Sequence, residues 1–168
     1  GAHWGAIWEC HRRDGGYGDL RGNGTLSTAT TARAAGGLQV LNAHFGVDLL
    51  ERTALAAAQW LVLKRDRDGF VVGERFQHSG QPFDDGSPWV VAETLAPLVA
   101  TFRSTQNETF LKAAQHSIRG IRERLDDGSL LPGDASTAHL SAAIDGVLQV
   151  SREYENDELI ALAQRLAD

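Results

Sequence analysis

Apolar residues recur along this chain at helical spacing, three and four positions apart, and polar residues fill the positions between them. The pattern predicts an all-α protein, because no segment requires the strict alternation of a half-buried strand. Glycine-rich stretches at 14–23 and 70–86 are predicted loops, the second with a short strand pair near Phe70–Val72. The predicted helices are Gly1–Arg13, Ser27–Ala43, Leu49–Arg65, Ser87–Arg103, Glu108–Leu125, Asp134–Tyr154 and Asp157–Asp168.

Several helix starts carry the residue types that cap helices. A side chain that can accept a backbone N–H bond stands at the start of three predicted helices: Ser27 or Thr28, Asn107, and Asn156 or Asp157. Ser87 is followed by a proline at the first helical position, which is a typical helix start. A second proline, Pro97, lies inside the same helix and should kink it.

The chain also repeats itself. Two segments run from an alanine-rich helix into an acidic glycine turn, and a third resembles their first part. They are Ala57-Ala58-Gln59-Trp60 with Asp66-Arg67-Asp68-Gly69, Ala113-Ala114-Gln115-His116 with Asp126-Asp127-Gly128, and Ala163-Gln164. A period of roughly 50–60 residues holds two helices and a loop, so each repeat predicts one helical hairpin. Since the third repeat reaches Asp168 before its turn, we expect 1–168 to be a single domain that is a segment of a larger array.

Alignment of the repeats separates the helices into two sets. In one set, hydroxyl and small residues coincide, as expected for helices crowded around an axis: Ser27, Ser87 and Thr137; Ala32, Ala92 and Ala142; Gly36, Ala96 and Gly146. Close helix packing is therefore the expected reason for Gly36-Gly37, because glycine inside a helix costs about 1 kcal/mol relative to alanine. The alternating helices are amphipathic and suit an outer layer facing water.

With these features the chain resembles an α/α toroid, in which inner and outer helices alternate around a closed ring. The segment Ser104–His116, with Phe110-Leu111 before Ala113-Ala114, resembles an outer helix of toroid enzymes that act on sugars. The segment from Gln59-Trp60 to Asp68-Gly69 also resembles the repeats of terpene cyclases and prenyltransferases. The resemblance implies an all-α arc of about three helical hairpins, an incomplete six-hairpin barrel.

Two features of the isoprenoid enzymes are missing from the sequence. The Asp-x-Asp-Asp motif of proton-initiated cyclases is absent, since Pro82 precedes Phe83 and the pair Asp84-Asp85. The Cys and His sets that bind zinc in prenyltransferases and lanthionine cyclases are not recognisable either. We therefore expect a saccharide-acting hydrolase, lyase or epimerase without a cofactor or metal. An isoprenoid enzyme, or a non-catalytic helical-repeat module for protein binding, is the alternative.

Composition and charge limit the classes of molecule that the chain is expected to bind. The net charge is −6 and there is no basic run, which argues against binding to nucleic acid or an anionic membrane. The sequence holds no apolar stretch long enough to span a bilayer and no visible signal peptide, so a cytoplasmic location is the expectation. Cys10 is the only cysteine, which excludes a disulfide scaffold. A small molecule or oligosaccharide, and a second copy or further sequence to complete the ring, are the predicted partners.

In a toroid, the loops that lead into the inner helices meet at one mouth of the ring, together with the positive ends of those helices. The carboxylates Asp84, Asp85 and Glu93 are the predicted catalytic groups, because glycosidic chemistry needs a proton donor and a second carboxylate. Acids, bases and aromatic faces that could bind a polyol are predicted at Asp14, Tyr17, Asp19, Arg21, Arg75, His78, Trp89 and His139.

Structural roles compete with these functional ones. Asp84 and Asp85 precede a glycine and Ser87, as turn and cap residues do. Glu93 aligns with Arg33 in the repeat, so the two could form a structural ion pair between neighbouring inner helices. His78 with Asp84 and Asp85 could also form a metal cluster, which is the less favoured interpretation.

Overall fold

The computed structural model describes residues 15–18, 25–73, 75–76, 81–84, 86–154 and 156–167, with the backbone alone at 83 and 84. These residues form six α-helices, as the periodicity predicts. The helices are α1 Thr28–Phe45, α2 Asp48–Leu63, α3 Leu95–Thr105, α4 Glu108–Asp126, α5 Thr137–Tyr154 and α6 Asp157–Ala167. Two 3-10 helices, Pro88–Thr94 and Pro132–Asp134, precede α3 and α5. The predicted helix Gly1–Arg13 lies outside the described residues.

The predicted caps are present with one change. The side chains of Ser27, Ser87 and Asn107 accept backbone N–H bonds at the starts of their helices. Asn156 Oδ1 accepts from the N–H of Glu158, which selects Asn156 over Asp157 as the cap of α6. In α5 the capping hydroxyl belongs to Ser136, so the alignment that placed Thr137 there is displaced by one residue.

The predicted kink at Pro97 takes the form of a change in helix type. Pro97 has no N–H to donate to the carbonyl of Glu93, and its ring would crowd that carbonyl in a continuous α-helix. The segment Pro88–Thr94 is a 3-10 helix, and regular α-helix begins at Leu95. Pro97 therefore lies in the first turn of α3, where a proline is tolerated. The tighter 3-10 segment carries Glu93.

The helices pack as three antiparallel hairpins, α1 with α2, α3 with α4, and α5 with α6. Helix α1 also contacts α3, and α3 contacts α5, so these three form one continuous layer. The core lies between this inner layer and the outer helices α2, α4 and α6, and its largest buried side chains include Phe76, Trp89 and Phe110. The separation into inner and outer helices that the repeat predicts is confirmed.

Two glycine turns, at Gly15-Gly16 and at Asp66–Gly69, each dock against the outer helix of the hairpin that follows. Gly15 has φ +93°, and a Cβ on it would lie 2.1 Å from the carbonyl oxygen of Ala56 in α2. Gly69 has φ +82°, and its Cβ would lie 2.6 Å from the carbonyl of His116 in α4. Only glycine permits both this backbone conformation and this approach. The third turn differs, since a Cβ on Gly128 would meet nothing within 4 Å.

Close packing of the inner helices depends on a different glycine from the predicted pair. A Cβ on Gly146 of α5 would lie 2.4 Å from Cβ of Leu95 in α3. By contrast, a Cβ on Gly36 would meet only Pro97 at 3.9 Å, and one on Gly37 would meet nothing. The explanation expected for Gly36-Gly37 is therefore wrong for Gly37, and it applies to Gly146.

A small antiparallel sheet lies beside the start of α1. It contains β1 Leu26–Ser27, β2 Arg75–Phe76 and β3 Pro82–Asp84, in that order. Leu26 pairs with Phe76, and Ser27 pairs with Arg75. The strand pair expected near Phe70–Val72 is reduced to one bridge between Arg65 and Val71. The sheet joins the long loop to the cap of α1.

Candidate functional site

One ion pair joins the N-terminal parts of the first two inner segments. Nε of Arg33 in α1 donates to Oε2 of Glu93, and Nη2 donates to Oε1, each at 2.9 Å. The Glu93 side chain is only 10% exposed, whereas that of Arg33 is 69% exposed. Two parallel charge-assisted bonds fix the plane of the carboxylate. This is the ion pair between neighbouring inner helices that the repeat alignment suggested.

A histidine from the third hairpin lies against the same carboxylate. Nε2 of His139 is 3.5 Å from Oε1 of Glu93, and its side chain is 18% exposed. The backbone N–H of His139 donates to Oγ of Ser136, which places the residue in the first turn of α5. Nδ1 is buried and has no hydrogen-bond partner among the described residues. All three hairpins thus contribute one charged or titratable side chain to this point.

Arg33 and Glu93 line a depression of about 330 Å³ on the inner layer, and His139 lies against Glu93 beside it. Its other walls are small residues and a proline: Ala32, Gly36, Pro97, Ala138 and Ala142. Small side chains leave room there. The depression can therefore receive a polar group beside a carboxylate and a guanidinium, and the imidazole of His139 lies against that carboxylate.

Trp89, predicted to cover a sugar ring, does not line this depression. Its side chain is fully buried in the core, and Nε1 donates to the carbonyl of Leu131 at 3.2 Å. Burial of both ring faces leaves no surface on which a sugar could stack, so the binding role predicted for Trp89 is corrected to a core role. The apolar residues around it form the main cluster between the two helix layers.

Tyr17 is corrected in the same way. It is buried in a second apolar cluster with Ala35, Leu38 and Leu50, and its backbone N–H donates to Oγ1 of Thr31. Arg75 is exposed in β2, the central strand of the sheet, where it lies between Ser27 and Asp84 and does not line the depression.

The remaining predicted residues stay predictions. Asp84 lies in β3, where the structure describes the backbone alone. Asp14, Asp19, Arg21, His78 and Asp85 lie outside the described residues. Over the described ranges, no group of three or more His, Cys, Asp or Glu side chains could hold a metal ion. In that same part of the chain, no helix is both long and apolar enough to cross a bilayer.

Arg33 is the residue that the predicted set of site residues omitted. The sequence did carry a pointer to it, since Arg33 and Glu93 occupy aligned places in two repeats. Opposite charges at equivalent positions of neighbouring parallel helices are a pattern expected of contacting side chains. His139 was assigned to the mouth only through its loop, and its contact with Glu93 was not predicted.

Comparison with solved structures identifies the architecture. A sugar epimerase from a ruminal bacterium superposes with a TM-score of 0.77 at 13% sequence identity, over 95% of this chain and 49% of that one. Cellobiose 2-epimerase from Bacillus thermoamylovorans B4167 also gives 0.77, at 15% identity, over 96% of this chain and 50% of that one. The chain is an arc of an α/α toroid.

The likeness to these two proteins concerns the fold, and the chain spans about half the length of each. No family model and no curated protein matches the sequence. The toroid arc places the N-terminal ends of α1, the Pro88–Thr94 segment and α5 at one end of the inner layer. That end holds Arg33, Glu93 and His139.

Proposed function

We propose that this toroid arc processes a saccharide at the depression lined by Arg33 and Glu93, where His139 lies against the Glu93 carboxylate. The observation that supports the proposal is a carboxylate that lines a concave, small-residue surface and has an imidazole from the next hairpin beside it. Both solved neighbours are named as sugar epimerases. A concave site with a few convergent polar groups is where a ligand is expected in such a fold.

The geometry favours proton transfer at a sugar carbon. An imidazole transfers protons efficiently near neutral pH, and a carboxylate beside it stabilises the imidazolium that forms. His139 would remove the proton next to the carbonyl of an open-chain sugar and leave an enediolate. The enediolate then turns about the neighbouring C–C bond and presents its other face to the same imidazolium. Return of the proton from His139 to that face gives the epimer and restores neutral His139.

Arg33 and Glu93 have supporting roles in this scheme. Glu93 would orient the His139 ring, and the two bonds from Arg33 would keep the carboxylate in place. The exposed part of the Arg33 guanidinium can also donate to a sugar oxygen on which negative charge develops.

Hydrolysis is the competing reaction, and it depends on Asp84 or Asp85. The usual glycosidase mechanism needs two carboxyl groups across the bond. Among the described side chains that line the depression, Glu93 is the only carboxylate. A second carboxylate from Asp84 or Asp85 would favour hydrolysis, with Glu93 as its partner.

The isoprenoid alternative is less well supported. Shielding of carbocations requires a cavity lined by aromatic side chains. The lining of the depression is Ala, Gly, Pro, Arg and Glu, with no aromatic side chain among its described residues. A non-catalytic interaction module is the second alternative. It would be favoured if no reaction of a sugar is detected in any assay.

Proton exchange from solvent tests the proposal. The chain is incubated in D₂O with reducing mono- and disaccharides, and ¹H NMR follows loss of the proton next to the carbonyl, while released reducing ends report hydrolysis. We expect deuterium incorporation that falls at least about 100-fold in His139→Gln. His44→Gln is the matched control, because His44 is an exposed histidine at the other end of α1.

Three outcomes separate the hypotheses. Exchange that depends on His139 supports the proposed reaction. Hydrolysis that survives His139→Gln but is lost in Asp85→Asn assigns the site to a glycosidase. Equal exchange in both histidine variants overturns the role of His139.

Light scattering on the same samples tests the predicted self-association, which a strictly monomeric particle would contradict.

A further inference from the structure

A partly buried arginine connects the outer helices to the segment that carries Glu93. Arg65 follows α2, and its guanidinium donates to three oxygens: the carbonyl of Leu61, Oγ of Ser117 at 3.0 Å and Oγ1 of Thr94 at 2.6 Å. All three acceptors are neutral. No carboxylate lies within ion-pair distance of Arg65 among the described side chains.

Removal of this cation from water costs free energy, which other contacts must offset. Desolvation lowers the pKa of Arg65 to about 10, so the guanidinium is still protonated at neutral pH. A buried charge needs hydrogen bonds or a partner charge. The carbonyl of Leu61 belongs to the last turn of α2, where the partial negative charge of the helix terminus supplies part of the compensation.

The bond to Thr94 reaches the inner layer where its 3-10 segment meets the α-helix. Thr94 is fully buried and is the residue at which the 3-10 segment changes to α-helix. Its Oγ1 accepts from Arg65 and donates to the carbonyl of Val91 at 2.7 Å. The hydrogen bonds of a 3-10 helix are poorer than those of an α-helix, so its conformation depends more on outside contacts.

Glu93 lies between the two residues that this network fixes. Val91 and Thr94 are bound into the core by the hydroxyl and the guanidinium, and the backbone of Glu93 is thereby fixed with them. We propose that Arg65 is a positioning residue, which acts through Thr94 to aim the Glu93 carboxylate at Arg33 and His139. The inference rests on the proposed function only for its meaning in catalysis, since the positioning itself is measurable without a substrate.

The same arginine has a second bond that provides the control. Ser117 Oγ accepts from Arg65 and donates to the carbonyl of Gly69 at 2.6 Å, which joins α4 to the acidic turn. Ser117→Ala therefore removes one Arg65 acceptor and a buried hydroxyl without touching Thr94. Thr94→Val removes the acceptor on the inner side, and Thr94→Ser retains it.

The direct readout is the Nε–H group of Arg33, which reports its bond to Glu93. NMR measures the hydrogen-exchange rate of this group, together with the amide exchange of residues 91–95. In Thr94→Val and Arg65→Lys we expect both rates to rise about tenfold, the change that corresponds to loss of roughly one hydrogen bond. In Thr94→Ser and Ser117→Ala the Arg33 rate should stay within about twofold of the starting protein.

The outcomes are decisive in either direction. Faster Arg33 exchange in Thr94→Val, with recovery in Thr94→Ser, supports the positioning role even if no sugar is turned over. An unchanged Arg33 rate in Thr94→Val, whatever its stability, overturns it and leaves Arg65 a structural residue. If Arg65→Lys does not fold, the pair of Thr94 variants still decides. Where exchange of a sugar proton is found, Thr94→Val should lower kcat more than it raises KM.

Discussion

Two arginine–glutamate pairs join neighbouring inner segments, one at each end of the layer, and their surroundings differ. At the N-terminal end, Arg33 of α1 donates two bonds to Glu93. At the C-terminal end, Arg103 of α3 donates through Nε to Oε1 of Glu153 in α5, at 2.7 Å. Both pairs connect the same kind of helices with the same side-chain chemistry.

The difference lies in the third partner. Glu93 has His139 of the remaining hairpin beside it and borders the depression. At the C-terminal end, Nη1 of Arg103 reaches Oε1 of Gln149, a neutral amide on the same helix as Glu153. An ion pair alone joins two helices, and the added imidazole is what provides a route for a proton. The comparison therefore supports the proposal that the N-terminal end is the site and that the pair at the C-terminal end is a structural contact.

Removal of the glutamate charge should have the largest effect on the exchange rate, and that effect should differ strongly between the two ends. Glu93→Gln is expected to reduce solvent exchange into a sugar at least about 100-fold, because His139 loses the carboxylate that stabilises its charged form. Glu153→Gln removes an equivalent partner at the other end and should leave the rate within about twofold. NMR of deuterium incorporation measures both. Similar losses in the two variants would show that the ends do not differ in function.

A change in the packing of α5 against α3 should have the next largest effect, and this effect is on stability. Gly146→Ala places a Cβ 2.4 Å from Leu95, so α3 and α5 must separate, and we expect a loss of about 1–3 kcal/mol in the free energy of unfolding. Gly37→Ala fills open space on α1 and should gain about 0.5–1 kcal/mol. Urea unfolding of the two variants measures the contrast. A neutral Gly146→Ala would mean that helix spacing does not set the distance between Glu93 and His139.

The ion pairs themselves should contribute the smallest energies. A double-mutant cycle is expected to give about 1 kcal/mol for Arg33 with Glu93, where the bonding is bidentate and the carboxylate is nearly buried. For Arg103 with Glu153, which share a single bond, about 0.5 kcal/mol is expected. Both couplings should shrink at high salt. A larger coupling at Arg103 would reverse the expected order of the two ends.

Within the described residues the predicted helices and most of their caps were confirmed, because both depend on local pattern. Ser27, Ser87 and Asn107 cap as their residue types indicate, and Pro97 interrupts the helix type as a missing donor requires. Failures came where the decisive contact is distant in sequence. Trp89 near two aspartates suggests an open aromatic face, yet its indole lies in the core against Leu131.

The candidate site was predicted in part for the same reason. Glu93 and His139 stood out as chemistry-bearing residues near helix starts, whereas Arg33 entered only as a possible partner. No property of the residues around Arg65 in the sequence indicates that its side chain reaches Thr94. Such contacts depend on the distance between helix layers, which a single sequence without an alignment does not specify.

The sequence by itself determined a helical repeat with two kinds of helix, because periodicity, capping and glycine turns act over a few residues. Tertiary structure alone decided that Arg33, Glu93 and His139 meet while Trp89 and Tyr17 are buried. Their convergence requires three hairpins to pack side by side, at a spacing that Gly146 permits and Leu95 defines. Helix identity is a local property, whereas the site is a product of how the helices pack.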